Sequence, residues 1–238
     1  MKKKAIIILL IIIALLVFTF LFFKVYKDLR KESTIRNEIQ EINRIIEQNN
    51  TDDEDIIYEI LDRRTIEKGS YKKIENAIKN YYKDYYSSYK NIVFLLEEES
   101  IYNYLSNDNL KDFDNTYAKS KDHIINTNAQ VEELYKTFTS YETEDKKNSY
   151  IAETKLDNYY KNFYIELTSN TLSETNVDEV KTNYTKYTTN LEIYNEALDF
   201  LNSKKNSWKI KNDIIVFEQV EDYETYMSII NKLNNKND

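Results

Sequence analysis

VDEVKTNYTKYTTNLEIYNEALDFL, residues 177–201, is the stretch that decides the fold. Its large side chains stand at Val177, Val180, Tyr184, Tyr187, Leu191, Tyr194, Leu198 and Leu201. The steps alternate between three and four residues over more than three heptads, the pattern of a helix with one buried face. A strand would alternate every second residue, and nothing here does.

The same reading extends in both directions. Tyr71, Ile74, Ile78, Tyr81, Tyr85, Ser88, Ile92 and Leu95 form a second seam, widened by Tyr82, Tyr89 and Leu96 and predicted to run to about Leu105. After a polar break at Asn107-Asp108-Asn109 comes a third, through Leu110, Phe113, Tyr117, Ser120, Ile124, Thr127, Val131, Leu134 and Phe138, with small polar residues in its middle. A loop around Tyr141–Lys147 leads to Leu156, Tyr160, Phe163 and Leu167 on a shorter segment, and Ser169–Asn176 reads as a loop. Zero prolines and a single glycine in 238 residues remove the usual helix breakers. The predicted fold is therefore all-α: an elongated antiparallel helical bundle over residues 51–238, with helices of about 25–35 residues and hence about 40–50 Å. Gly69 is expected to end the helix of Ile56, Ile57, Ile60 and Leu61 as the positive-φ residue after it, with Ser70 capping the next.

One segment departs from the helical pattern. In SWKIKNDIIVF, residues 207–217, Asn212-Asp213 suits a two-residue type I′ turn. That register sets Ile210 opposite Ile215 and Trp208 opposite Phe217 on one face, with Lys209, Lys211, Ile214 and Val216 on the other. A lone hairpin is marginal in water, so it is expected to pack on the bundle beside a last helix carrying Tyr223, Tyr226, Met227, Ile230 and Leu233.

At the other end, residues 5–23 read AIIILLIIIALLVFTFLFF, uncharged throughout, behind Met-Lys-Lys-Lys. A bilayer core requires about 20 apolar residues in a helix. A cleaved signal peptide has a shorter apolar core and a small-residue cleavage site, and the exit here is Phe-Leu-Phe-Phe-Lys. A soluble core helix has a polar face, which this run lacks. The expectation is a permanent single-pass anchor: residues 1–4 a cytoplasmic tail, 5–23 the span contacting the lipid bilayer, 24–50 a juxtamembrane stalk helix with a short coiled-coil-like seam at Ile35, Ile39, Ile42 and Ile46. Lys24, Lys27, Arg30, Lys31 and Arg36 after the span outnumber the three lysines before it, which by itself opposes that orientation. The four-residue basic tail argues more strongly against crossing the membrane, so the C-terminal body is expected outside a bacterial cell.

Charge sharpens the picture. Residues 1–31 carry a net +6 and the remainder −14. That balance excludes a nucleic-acid partner, which calls for a basic surface. No cysteine is present, so there is no disulfide and no lipid-modified cysteine. His123 is the only histidine, too few for a triad or a histidine metal site. Asp52-Asp53-Glu54-Asp55 lacks calcium-loop spacing and reads as helix capping; Asp108, Asp112 and Asp114 fail the same test, and Glu97–Glu99 read as a solvated face. No catalytic residue, cofactor site or metal site is assigned. Among 22 tyrosines the cluster Tyr81, Tyr82, Tyr85, Tyr86 and Tyr89 stands out. Tyr81 and Tyr85 lie on the seam, leaving Tyr82, Tyr86 and Tyr89 as the candidate contacts for a protein partner.

Thr65-Ile66-Glu67-Lys68-Gly69-Ser70-Tyr71 leading into Ile74-Glu75, Ala77-Ile78-Lys79 and Tyr81, together with Phe200-Leu201 running through Trp208 to Phe217, resembles a group of small, uncharacterised bacterial membrane-anchored helical proteins. The resemblance implies an N-terminal span and helical body, and no activity. The expected function is non-catalytic: protein–protein interaction or organisation of the cell envelope, with a ligand-sensing ectodomain working through a membrane partner as the alternative.

Overall fold

A computed structural model describes residues 2–47, 54–97, 103–169 and 174–234. Helices α1 (Lys2–Glu47), α2 (Glu54–Asp62), α3 (Ser70–Leu96), α4 (Asn107–Lys111), α5 (Phe113–Ser140), α6 (Glu144–Ser149), α7 (Asn158–Ser169) and α8 (Glu174–Ser203) are followed by strands β1 (Trp208–Lys211) and β2 (Ile214–Phe217) and helix α9 (Val220–Asn234). The chain is 81% helical with one antiparallel hairpin near its C-terminus. It divides into two compact units, Met1–Asp84 with Glu144–Ser173, and Tyr85–Thr143 with Glu174–Asp238.

In the first unit α1 runs without a break from the apolar span into packed protein. From Leu10 to Phe23 its large apolar side chains are exposed, whereas Ile35, Ile39, Ile42, Ile45 and Ile46 are buried. The seam expected on a stalk is thus part of a core, shared with Ile57, Ile60 and Leu61 of α2 and Ile74, Ile78, Tyr81 and Tyr82 of α3. From α7, Phe163, Tyr164 and Leu167 join it. Tyr71 meets Tyr160 edge to face at 5.1 Å, and Tyr81 meets Tyr150 at 5.5 Å. Such pairs contribute about 0.5–1.5 kcal/mol beyond the area they bury.

Gly69 adopts the expected positive φ, +84, and Ser70 is the first residue of α3, but Gly69 does not end α2, which stops seven residues earlier at Asp62. The reason lies in α3. Glu75 accepts hydrogen bonds from the backbone N–H groups of Thr65 and Ile66 at 2.7 and 3.0 Å, and Lys79 donates to the Arg63 carbonyl at 2.8 Å. Those bonds tie the non-helical residues 63–66 to α3 and satisfy backbone groups that a continued helix would otherwise use. The anticipated acidic capping at Asp52 and Asp53 lies outside the described residues, as do Glu98 and Glu99.

In the second unit the deciding stretch behaves as its spacing requires. Val180, Tyr187, Leu191, Tyr194, Leu198 and Leu201 are buried on α8, joined by Ile193 and Ala197. On α5 the buried set is Phe113, Ser120, Ile124, Thr127, Val131 and Phe138. Tyr135 of α5 stacks face to face on Tyr184 of α8 at 3.8 Å with planes 6° apart. Three boundaries differ from expectation, one being the start of α8 at Glu174, inside the stretch Ser169–Asn176 read as a loop. Helix α3 stops at Leu96, and residues 103–105 are not α-helical. The supposed break at Asn107 is instead the one-turn helix α4, N-capped by Ser106, whose Oγ accepts from the Asn109 N–H. Serine followed by polar residues is as good a helix start as a loop.

The hairpin takes the anticipated register, Trp208 opposite Phe217 and Ile210 opposite Ile215, with Asn212 and Asp213 at φ 52 and 59. Its half-buried face lies on helices. Trp208 Nε1 donates to the Leu201 carbonyl at 2.8 Å, its ring meets Phe113 at 5.1 Å, and Phe217 meets Tyr226 at 5.5 Å. On α9 the buried apolar residues are Tyr226 and Ile229, while Tyr223 is exposed.

Candidate interaction surface

The tyrosines expected to face a partner separate by unit. Tyr82 is 1% exposed in the first unit, and its hydroxyl donates to the Leu167 carbonyl at 2.9 Å. Burial pushes its ionisation well above the usual tyrosine range. Tyr86, in the second unit, is 7% exposed. Tyr89 is half-buried, its ring 6.4 Å from Tyr86 and 6.1 Å from Phe138, and burial raises its pKa, with Glu179 and Glu97 adding to the effect. The expectation that these residues are exposed is therefore corrected for Tyr82 and Tyr86. A residue beside a heptad seam lies on the flank of the buried face, and α3 is covered on both flanks.

The densest polar constellation is internal to the first unit. Glu75 and Lys79, one turn apart on α3, are both fully buried. Glu75 takes four donors: Thr65 N–H at 2.7 Å, Thr65 Oγ1 at 2.8 Å, Ile66 N–H at 3.0 Å and Lys79 Nζ at 3.2 Å. Lys79 is held by Glu75, by the Arg63 carbonyl and by Glu38 of α1 at 2.6 Å; Glu38 also receives Arg63 at 3.0 Å. Desolvation raises the Glu75 pKa, but the Thr65 and Ile66 donors and the Lys79 charge outweigh it, so the net displacement is downward. The ammonium donates to Glu75 and the Arg63 carbonyl and is ion-paired with Glu38, so the group ties α1, the 63–66 segment and α3 together. Its sequence signal was a Glu–Lys pair at i, i+4 immediately beside Ile74 and Ile78, where charges are expected to be solvated.

The remaining single-residue expectations are quickly placed. His123 is exposed, with Nδ1 2.5 Å from the Tyr104 hydroxyl. Asp112 accepts from Asn115 at 2.7 Å, and Asp114 pairs with Lys205 at 2.7 Å. Among the described residues no group of three His, Cys, Asp or Glu side chains is arranged to hold a metal ion.

Two surface features of the second unit remain. A shallow groove of about 540 Å³ runs beside Phe113 and Trp208 and is rimmed by Lys111, Asp114, Lys205 and Lys209. Lys205 is tied to Asp114, and Lys111 to Asp213 at 2.8 Å. On the opposite side of the hairpin, Ile214 (65% exposed) and Val216 share a solvent-facing strip with Lys209 and Lys211. Val220 and Tyr223, exposed on the first turn of α9, follow directly in sequence. β-branched side chains on an uncovered two-stranded ribbon form an apolar surface that a monomer gains nothing by displaying. Comparison with protein families, curated proteins and solved structures finds no match to this chain.

Proposed function

We propose that this is a non-catalytic, single-pass membrane protein of the bacterial cell envelope, which presents its helical body outside the cell for interaction with another protein. Helix α1 is long and apolar enough to cross a bilayer, and this observation carries the reading. The large apolar side chains from Leu10 to Leu29 lie outside any protein core, which a soluble fold would bury. The internal pairing of Glu75, Lys79 and Glu38 supports a structural body. The contact surface is assigned to the outer hairpin face, Ile214 and Val216 of β2 beside Lys211 and Lys209 of β1, in place of Tyr82 and Tyr86. An aliphatic strip with a basic rim suits an acidic, apolar patch on a protein partner.

The test is a photo-crosslinking residue placed at Ile214 in the full chain in cells. The expected product is one discrete protein adduct, lost in the V216D background and absent when the crosslinker sits at Gln40 on the exposed face of α1. Equal labelling from both positions defeats the assignment. A second reading, a ligand-binding ectodomain, rests on the groove beside Trp208. Saturable quenching of Trp208 fluorescence by one member of a small-molecule collection favours it.

A further inference from the structure

The stretch of α1 between the span and the first unit's core is two-faced. At about 3.6 residues per turn, Phe22, Val25, Tyr26 and Leu29 fall on one side of the helix. All four are more than half exposed. Lys24 and Lys27 fall on the opposite side, the side on which Ile35, Ile39 and Ile42 enter the core higher up, and Arg30 lies on the flank. Lys31, on the lysine side, is engaged by Asp28 at 3.0 Å and by the Tyr71 ring at 5.4 Å. Lys24, Lys27 and Arg30 have no ion-pair partner among the described residues.

The apolar stripe thus continues six residues past Phe23, about 9 Å along the axis, on one side only. A helix about 10 Å across that tilts by about 20–40° stays in hydrocarbon about 4–8 Å further along its downward side than along its upward side. The stripe and the lysines match those two sides. Resting on the membrane reading above, we propose that α1 leaves the bilayer tilted, with Val25, Tyr26 and Leu29 at the acyl–headgroup boundary and Lys24, Lys27 and Arg30 binding the phosphates of anionic lipids.

Charge complementarity commits the surface to lipid. Three unpaired cations at headgroup depth are drawn to an anionic leaflet. The rest of the chain carries −14 and is repelled by the same leaflet. The tilt agrees with that repulsion, since the core side of α1 faces up and away from the lipid. Tyr26 has the amphipathic ring that settles at a membrane interface.

The absence of cysteine makes the test clean. Single-cysteine variants of the full chain, L15C, Y26C, D28C, L29C and S33C, carry an environment-sensitive fluorophore in vesicles of phosphatidylcholine with or without phosphatidylglycerol. Acyl-chain nitroxide lipid is expected to quench positions 15, 26 and 29, and position 29 several-fold more than its neighbour 28; aqueous iodide is expected to reach 33. Headgroup-nitroxide phosphatidylglycerol is expected to quench position 28 at least fivefold more strongly than the phosphatidylcholine analogue, a preference abolished by K24Q/K27Q/R30Q. Failure of acyl quenching at position 15 overturns the membrane anchor itself. Quenching at 15 with 26 and 29 as open to iodide as 33 leaves the anchor standing and overturns the tilted exit. Shielding of 26 and 29 from both quenchers, with disulfide-linked dimers of L29C, assigns the stripe to a second copy and likewise overturns it. Equal quenching by the two headgroup lipids overturns the anionic-lipid site.

Discussion

Replacing Lys79 by Met tests whether the buried charges hold the first unit together. Methionine keeps the length and most of the volume of lysine, so the packing beside Ile78 survives and the change is electrostatic. In the native unit the ammonium balances Glu75, with no side-chain exposure, and Glu38, at 10%. Without it, Glu75 retains the Thr65 and Ile66 donors and Glu38 retains Arg63. The Arg63 carbonyl loses its Lys79 donor, and both carboxylates lose the cation they share. Removing one partner of a buried ion pair typically costs about 3–5 kcal/mol. At about 2–4 °C per kcal/mol for a chain of this size, K79M is expected to lower the melting temperature by about 6–20 °C. The assay is loss of helical circular dichroism on heating the full chain in detergent micelles. The double variant E75Q/K79M is expected to recover part of the loss, because of the two carboxylates left behind only Glu38, still paired with Arg63, carries a charge. A melting temperature for K79M within 2 °C of the parent would refute the reasoning, since it means the cluster is solvated.

The depressed Glu75 pKa fixes the sign of a pH effect. Its folded pKa lies below the unfolded value, so its stabilisation is complete above about pH 4.5 and is lost as pH falls toward the folded pKa. Urea midpoints measured from pH 6 to pH 3 are expected to fall in that window, and E75Q is expected to flatten the fall. G69A isolates a backbone cost: nothing lies within 4 Å of an added Cβ, so only the positive φ opposes it. The expected penalty is about 1 kcal/mol by urea denaturation, and a neutral result would mean the turn relaxes. N212V forces a β-branched residue to φ 52 in the hairpin turn and is expected to cost about 1–2 kcal/mol, read as earlier exposure of Trp208 fluorescence. Y82F removes the hydrogen bond to the Leu167 carbonyl and is expected to cost about 0.5–1.5 kcal/mol. The same variant is expected to leave any Ile214 crosslink untouched, whereas a partner-contact role for Tyr82 predicts that the adduct weakens.

Helix content was legible because burial and sequence period are the same fact stated twice. The alternation from Val180 to Leu201 has no other economical solution, and the Asn212-Asp213 turn dictated which hairpin residues face Trp208. Two kinds of feature were hidden. Local signals are ambiguous where polar residues either cap or break a helix, so Ser106-Asn107 began α4 where a break was expected. Contacts distant in sequence leave no local trace: α2 stops at Asp62 because Glu75 and Lys79, more than ten residues later, claim the backbone beyond it. The expected exposure of Tyr82 and Tyr86 failed for a related reason. A seam marks the centre of a buried face and says little about its width, and α3 has protein on both sides of Tyr81 and Tyr85.

The central claim is that a permanent membrane helix carries the body outside the cell. Protease digestion of spheroplasts expressing the full chain with a C-terminal tag, followed by separation of membranes, tests it most directly. The tag is expected to be lost without lysis while a short N-terminal fragment stays with the membrane pellet. Full-length tagged protein that resists digestion until the spheroplasts are opened, or that appears in the soluble fraction, would contradict it.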